Sequence, residues 1–184
     1  MAYLPGQEGA RAISDVLYGE INPSGRLPYT YPRSTNSLLT YDRKHSEEVD
    51  VNYGQNGYDP QWPFGFGLSY SHVEYSGIGI DQDSLFGMDS LTVSVDISNL
   101  SDRATSEVVQ IYVSDDVASV TPSVKRLVSF KKRNLEAGEK RTMRFKISQH
   151  DLSFTGLSNE RITEDGWFTL RIGDLNSRFY YSEN

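Results

Sequence analysis

Period-two alternation of apolar and polar residues dominates the second half of the chain and is absent from the first. Leu91, Val93, Val95 and Ile97 alternate with Thr92, Ser94, Asp96 and Ser98, which puts one set of side chains on a buried face and the other in water. Val109, Ile111 and Val113 repeat the pattern within residues 107–114. Met143, Phe145 and Ile147 do so against Arg144 and Lys146, and Phe168, Leu170 and Ile172 against Thr169 and Arg171. Weaker runs at about 72–80, 125–133 and 178–182, with turns at Glu136-Ala137-Gly138-Glu139 and Asp165-Gly166, raise the expected count to about seven strands. That number suits an immunoglobulin-like sandwich, and a domain of about 100 residues can bury a core unaided.

Upstream the period changes. Leu4-Pro5-Gly6-Gln7-Glu8-Gly9 reads as a turn into a helix, with Glu8 near the end that favours negative charge. Ala10, Ile13, Val16 and Leu17 recur at helical spacing until Gly19. Asn22-Pro23-Ser24-Gly25 supplies a turn, and Leu27-Pro28-Tyr29-Thr30-Tyr31 a short strand halted by Pro32. One helix and one strand cannot enclose a core, because each must bury its apolar face against another layer. The face with Ile13 and Leu17 is therefore expected to lie against the sandwich, a second chain or nothing ordered. Residues 33–61 hold no period, and structureless passages beyond about 12–15 residues are usually lids, linkers or wrappers.

Between these halves lies Trp62-Pro63-Phe64-Gly65-Phe66-Gly67-Leu68-Ser69-Tyr70. Alternate glycines and Pro63 let the backbone turn tightly while its aromatics stay close, so the segment reads as an aromatic clasp and not as a strand.

Composition narrows the function classes. The chain has 184 residues, 37% of them hydrophobic and 12% aromatic, enough for a globular core. A formal net charge of −7 weighs against nonspecific nucleic-acid binding, which needs surplus Lys and Arg. No cysteine is present, so disulfides and thiolate metal sites are excluded. Met1-Ala2-Tyr3-Leu4-Pro5-Gly6 lacks the basic and apolar regions of a secretory signal, and no apolar run is long enough to cross a bilayer as a helix. Neither a nucleic acid nor a membrane is expected as a partner.

Four landmarks occur in order: Leu4-Pro5-Gly6-Gln7-Glu8-Gly9, Asp15-Val16-Leu17-Tyr18-Gly19, Asn22-Pro23-Ser24-Gly25-Arg26-Leu27-Pro28, and Trp62 to Tyr70. Together they resemble the C-terminal part of family 3 glycoside hydrolases, which include β-glucosidases and β-xylosidases. The resemblance implies a mainly β chain: residues 1–32 as a helix-strand remnant of an α/β sandwich domain, 33–70 as a linker with the clasp, and 71–184 as a fibronectin type III-like β-sandwich. It also implies that the parent cleaves terminal β-linked sugars by a retaining mechanism, and that both catalytic carboxylates lie upstream of Met1. The missing upstream domains are then the expected partner, and the chain alone is expected to be inactive.

Nothing in the chain demands a catalytic pair. Glu8 suits a helix start, and adjacent Glu47 and Glu48 lie in a mixed-charge run that reads as solvated surface. His45, His72 and His150 lack ligand spacing, no serine sits in a Gly-x-Ser-x-Gly elbow, and Gly65-Phe66-Gly67 and Gly77-Ile78-Gly79 lack the rest of a dinucleotide fingerprint. No catalytic, metal or cofactor site is expected. Lys125, Arg126, Lys131, Lys132 and Arg133 form a basic patch that either contacts an anionic polysaccharide or, as preferred here, guards a strand edge. Tyr53, Tyr58, Trp62, Phe64, Phe66 and Tyr70 serve a joint or stack on sugars, the joint being preferred. Asn99-Leu100-Ser101 fits the N-glycosylation pattern. Two functions follow: a structural support within a glycoside hydrolase, or a free-standing carbohydrate-binding or adhesion module.

Overall fold

The alternating segments pair into two sheets whose apolar faces meet. The computed structural model describes residues 2–35, 40–44 and 58–184. His45, Glu47, Glu48 and Tyr53, named above, lie outside the described residues. In chain order the elements are α1 (Gly9–Leu17), β1 (Tyr31–Pro32), β2 (Pro60–Trp62), β3 (Val73–Ile80), β4 (Ser84–Phe86), β5 (Ser90–Asn99), β6 (Thr105–Asp115), β7 (Arg126–Leu135) and β8 (Lys140–Ser148). Then come α2 (Gln149–Leu152), β9 (Phe154–Thr155), β10 (Arg161–Ile162), β11 (Gly166–Ile172) and β12 (Leu175–Ser182).

One sheet runs β4-β12-β11-β6-β7 and the other β3-β5-β8. Leu91, Val93, Val95, Ile97, Met143, Phe145 and Ile147 of the smaller sheet face Val109, Ile111, Val113, Phe168, Leu170, Ile172, Phe179 and Tyr181 of the larger, each 3% exposed or less. Burial of each such side chain contributes about 1.5–3 kcal/mol, so the stability of the chain resides between these sheets. All seven expected strands are present. Three features escaped the pattern: β4, a three-residue edge strand lying parallel to β12; α2, with a reciprocal cap between Ser148 and Asp151; and the short antiparallel pair of β9 and β10.

The first part departs from expectation in two places. Leu27–Thr30 are not strand; the paired residues are Tyr31 and Pro32, against Trp62 and Pro60. Leu27 instead gives its N–H to the Phe66 carbonyl and its own carbonyl to the Gly65 N–H, both at 2.8 Å, while Pro28 has no N–H to offer a ladder. Trp62, read as part of a non-strand clasp, ends β2.

Helix α1 forms where the spacing placed it. Tyr18 and Gly19 return their N–H groups to Ser14 and Val16, and Gly19 takes a φ of +83°. Its apolar face is not covered: Ile13, Leu17 and Tyr18 are 37%, 72% and 87% exposed, and Leu4 is 98% exposed. The chain's own sandwich does not cover this face. No helix among the described residues is long and apolar enough to cross a membrane.

Candidate functional site

The segment that follows α1 makes polar contacts with the sandwich. Asn22, in the turn after α1, donates from Nδ2 to Ser71 Oγ at 2.8 Å and to Thr105 Oγ1 at 3.1 Å. Its Oδ1 accepts from Ser69 Oγ at 3.0 Å and from the Tyr70 N–H at 2.9 Å. One amide thus ties three segments together. Arg103 reaches the Gly19 carbonyl at 2.8 Å, Lys132 reaches Ser24 Oγ at 2.8 Å, and the Tyr70 hydroxyl donates to the Val16 carbonyl at 2.7 Å.

Arg26 and Glu107 form the centre of this joint. Glu107 is 4% exposed and shares the parity of Val109, Ile111 and Val113, so its carboxylate points to the side where the core lies. Its Oε1 accepts from Arg26 Nη2 at 2.5 Å and from the Tyr75 hydroxyl at 2.6 Å. A buried carboxylate is tolerable only with such donors. Burial, and then the neighbouring Glu107 charge, push the Tyr75 hydroxyl well above the usual phenol range. Arg26 also donates from Nη1 to the Gly67 carbonyl at 3.2 Å, which joins the pair to the aromatic segment.

The segment at 62–70 contributes its backbone as much as its rings. Gly65 has a φ of +80°, and a Cβ there would lie 2.6 Å from both Gln110 Oε1 and the Tyr112 hydroxyl. A Cβ on Gly67 would lie 2.2 Å from the Gly25 carbonyl oxygen. Both positions require the absence of a side chain. The aromatics diverge: Trp62 stacks on Phe66 at 6.5 Å and tilts on Tyr31 at 5.1 Å, whereas Phe64 stacks on Tyr41 at 4.0 Å. Tyr58 carries the Arg43 guanidinium over its ring at 3.4 Å. Pro63 supplies a turn carbonyl to the Phe66 N–H.

Other sequence candidates fall apart. Lys131 and Lys132 do lie on β7, an edge strand of its sheet, but Arg126 turns inward and donates to the carbonyls of Ser153, Asp151 and Leu152 at 2.6, 2.8 and 3.0 Å. Asn99 is 1% exposed, with Nδ2 bound to the Arg103 and Glu136 carbonyls, so in this fold it braces a turn and cannot meet a glycosylating enzyme. Glu8 makes no side-chain cap to α1. Among the described residues no cluster of three His, Asp or Glu side chains could hold a metal.

Sequence reasoning quoted Asn22 and Arg26 only as landmarks and missed Glu107, Tyr75 and Arg103. A signal for Glu107 existed: it is a charge at an inward position of an alternating strand, which calls for a partner. Which residue answers it depends on tertiary structure.

Comparison with known proteins follows this geometry. Residues 1–70 match the glycosyl hydrolase family 3 C-terminal domain, and residues 107–176 match the fibronectin type III-like domain. A putative beta-xylosidase of Formosa agariphila is 38% identical over 170 residues, covering 90% of this chain and 22% of the relative. The periplasmic beta-glucosidase of Salmonella typhimurium is 34% identical over 186 residues, covering 96% of this chain and 24% of the relative. The crystal structure of beta-glucosidase from Listeria innocua in complex with gluconolactone superposes with a TM-score of 0.88 at 30% identity, covering 96% of this chain and 27% of that one. The chain spans about a quarter of the length of these relatives. With its helix-bearing first part, its aromatic segment and its sandwich all matched in one register, the chain belongs to the family 3 glycoside hydrolases, as their C-terminal region with a fibronectin type III-like domain.

Proposed function

We propose that this chain is the supporting C-terminal part of a glycoside hydrolase that removes terminal β-linked sugars with retention, by double displacement between two carboxylates. Those carboxylates and the domains that carry them are the chain's partners. Residues 1–32 complete an α/β sandwich domain, residues 33–70 link it onward, and residues 71–184 form the sandwich that braces it. Trp62, Pro63, Phe64, Gly65, Phe66, Gly67 and Tyr70 act as a structural clasp, with Asn22 and Arg26 as its polar counterparts.

The observation that carries this reading is an asymmetry in the first part. Its polar side is fastened to the sandwich through Asn22, Arg26 and Arg103. Its apolar side, with Leu17 and Tyr18, stays open. Large exposed apolar groups placed together mark an interaction surface. The relatives named beta-glucosidase and beta-xylosidase support the choice of enzyme.

A chimera tests it: this chain replaces the matching region of the Salmonella typhimurium relative. The expected result is a soluble protein that hydrolyses 4-nitrophenyl β-glucoside, while the 184-residue chain alone does not. A folded but inactive chimera, or turnover by the chain alone that vanishes with one of its own carboxylates, would refute the proposal. The second reading, a free sugar-binding module, rests on Trp167, which is 46% exposed. It predicts a saturable tryptophan fluorescence change with cello- or xylo-oligosaccharides.

A further inference from the structure

Charge is unevenly spread along the chain. Residues 125–146 hold nine of its 18 Lys and Arg but two of its 25 Asp and Glu, a surplus of seven positive charges in a chain whose net charge is −7. Strands β7 and β8 and the turn between them make up most of this stretch, and each strand is the last of its sheet. The Lys131 side chain crosses from one edge to the other: its ammonium donates to the Arg144 carbonyl and lies over the Phe145 ring at 4.7 Å. The two edges form one flank of the sandwich.

Folding divides the nine cations. Arg126 serves carbonyls of α2 and Ser153, Lys132 reaches Ser24, and Lys125 lies over the Tyr112 ring. Arg141 pairs with Glu139 at 2.6 Å and Lys140 with Asp96 at 3.1 Å. Lys131, Arg133, Arg144 and Lys146 are exposed, and none of them forms an ion pair with a described residue. The acids of the region are held elsewhere. Asp96 also accepts from Thr142 at 2.6 Å and Glu139 from the Glu136 N–H at 2.8 Å. Glu107 is buried with Arg26 and Tyr75. Glu136 lies in the turn beside Arg133, and Glu74 of β3 is level with Lys140, both at the end of β8 remote from Lys146. Asp81 follows β3, with β5 between it and β8, and accepts the Thr92 N–H at 2.8 Å. Lys131, Arg144 and Lys146 are left as a cationic group.

Arg144 and Lys146 stand opposite Ser94 and Thr92 of β5, on the face of the smaller sheet turned away from the core. The described residues of the first part and the linker are fastened to β6 and β7 of the larger sheet, through Thr105, Glu107, Tyr112 and Lys132. Two residues apart on one strand, Arg144 and Lys146 are about 7 Å apart along it. Exposed cations hold a single anion weakly in water. A polymer with repeated charges gains from each contact and from the counterions released. Thr92, Ser94 and Thr142 add hydroxyls to the face, and β5 and β8 place no aromatic side chain there on which a base could stack. We propose that this flank docks a linear acidic polysaccharide, a polyuronate laid along β8 with carboxylates on Lys131, Arg144 and Lys146. The need for a repeating anion stands on the flank alone; the choice of a polysaccharide rests on the glycoside hydrolase reading above.

The test is binding of the 184-residue chain to immobilised polygalacturonate, to its fully methyl-esterified form and to double-stranded DNA, by surface plasmon resonance. Saturable binding to polygalacturonate is expected, weakening about tenfold or more as salt rises from about 50 to about 200 mM. Arg144→Gln with Lys146→Gln should lower that affinity about tenfold or more and leave the thermal midpoint unchanged. Arg11→Gln with Arg33→Gln removes equal charge from exposed positions of the first part and should change the affinity less than about twofold. No saturable binding at the lower salt, equal binding of the esterified polymer, or an equal loss in both double variants overturns the docking flank. DNA bound as tightly as polygalacturonate overturns the choice of a polysaccharide. None of these outcomes depends on the activity of the chimera, so the two proposals fail separately.

Discussion

Arg26 and Glu107 should be coupled more strongly than any other pair across the joint, and the coupling has a sign that can be checked. The Arg26 side chain is 28% exposed and that of Glu107 5%, at 2.5 Å. Arg26→Met leaves a buried carboxylate with the Tyr75 hydroxyl as its one remaining side-chain donor among the described residues. Breaking a buried pair costs about 3–5 kcal/mol, and the partial exposure of Arg26 together with the surviving Tyr75 bond puts this case at about 3 kcal/mol. Glu107→Gln keeps an acceptor for Tyr75 and leaves the stranded cation on the wetter side, so about 1.5 kcal/mol is expected. The double variant should cost less than the sum by at least about 1.5 kcal/mol. Urea unfolding followed by tryptophan fluorescence measures all three, and Arg26→Met should lower the thermal midpoint by about 6–12 °C. Additive single costs, or a larger loss from Glu107→Gln than from Arg26→Met, would show that the carboxylate is not held by this pair.

Three further outcomes follow from the same structure. Asn22→Ala removes a ligand shared by Ser69, Tyr70, Ser71 and Thr105; a loss of about 2 kcal/mol should appear as faster hydrogen exchange and proteolysis in residues 2–35, with β5 and β6 still protected. Gly65→Ala forces a side chain into a φ of +80° against Gln110 and Tyr112, and should cost about 2 kcal/mol or more in the thermal midpoint. Asp115 has its carboxyl raised from 3.8 to about 6, chiefly by burial, so the native state favours the protonated form. The stability this contributes is complete below 3.8 and lost as pH rises through 6. Asp115→Asn should therefore stabilise the chain at pH 7.5 by about 1 kcal/mol, after allowance for partial exposure, and leave it unchanged near pH 3.5; equal effects at both pH values would contradict this.

What the sequence discloses here follows from how local each cause is. Leu91 to Ser98 and Phe168 to Ile172 announce strands because alternation needs no knowledge of partners. Helix α1 and its Gly19 stop were equally legible. Strand β4 was not, since three residues are too few to show a period and its pairing with β12 is set by position in the sheet. Leu27 to Thr30 misled because the Leu27 backbone bonds to Gly65 and Phe66 instead of to a strand ladder. The basic patch read as one object, although Arg126 satisfies buried carbonyls while Lys132 reaches Ser24. In the joint, the glycines and aromatics were visible as a motif, but the Glu107 carboxylate shared by Arg26 and Tyr75 joins residues distant in sequence, and only folding reveals which donors meet it.

The parallel pairing of β4 with β12 carries a kinetic consequence. Residues 84–86 lie early in the sandwich and residues 180–182 late, so this contact closes a loop that encloses nearly the whole domain. The hairpin of β11 and β12 can form from neighbouring residues, whereas β4 must wait for it. Until β4 docks, β12 presents an unpaired flank to any other molecule in solution. A refolding chain at high concentration can fill that flank with a β4 from its neighbour, and dilution is then the simplest way to keep each sandwich closed by its own strand.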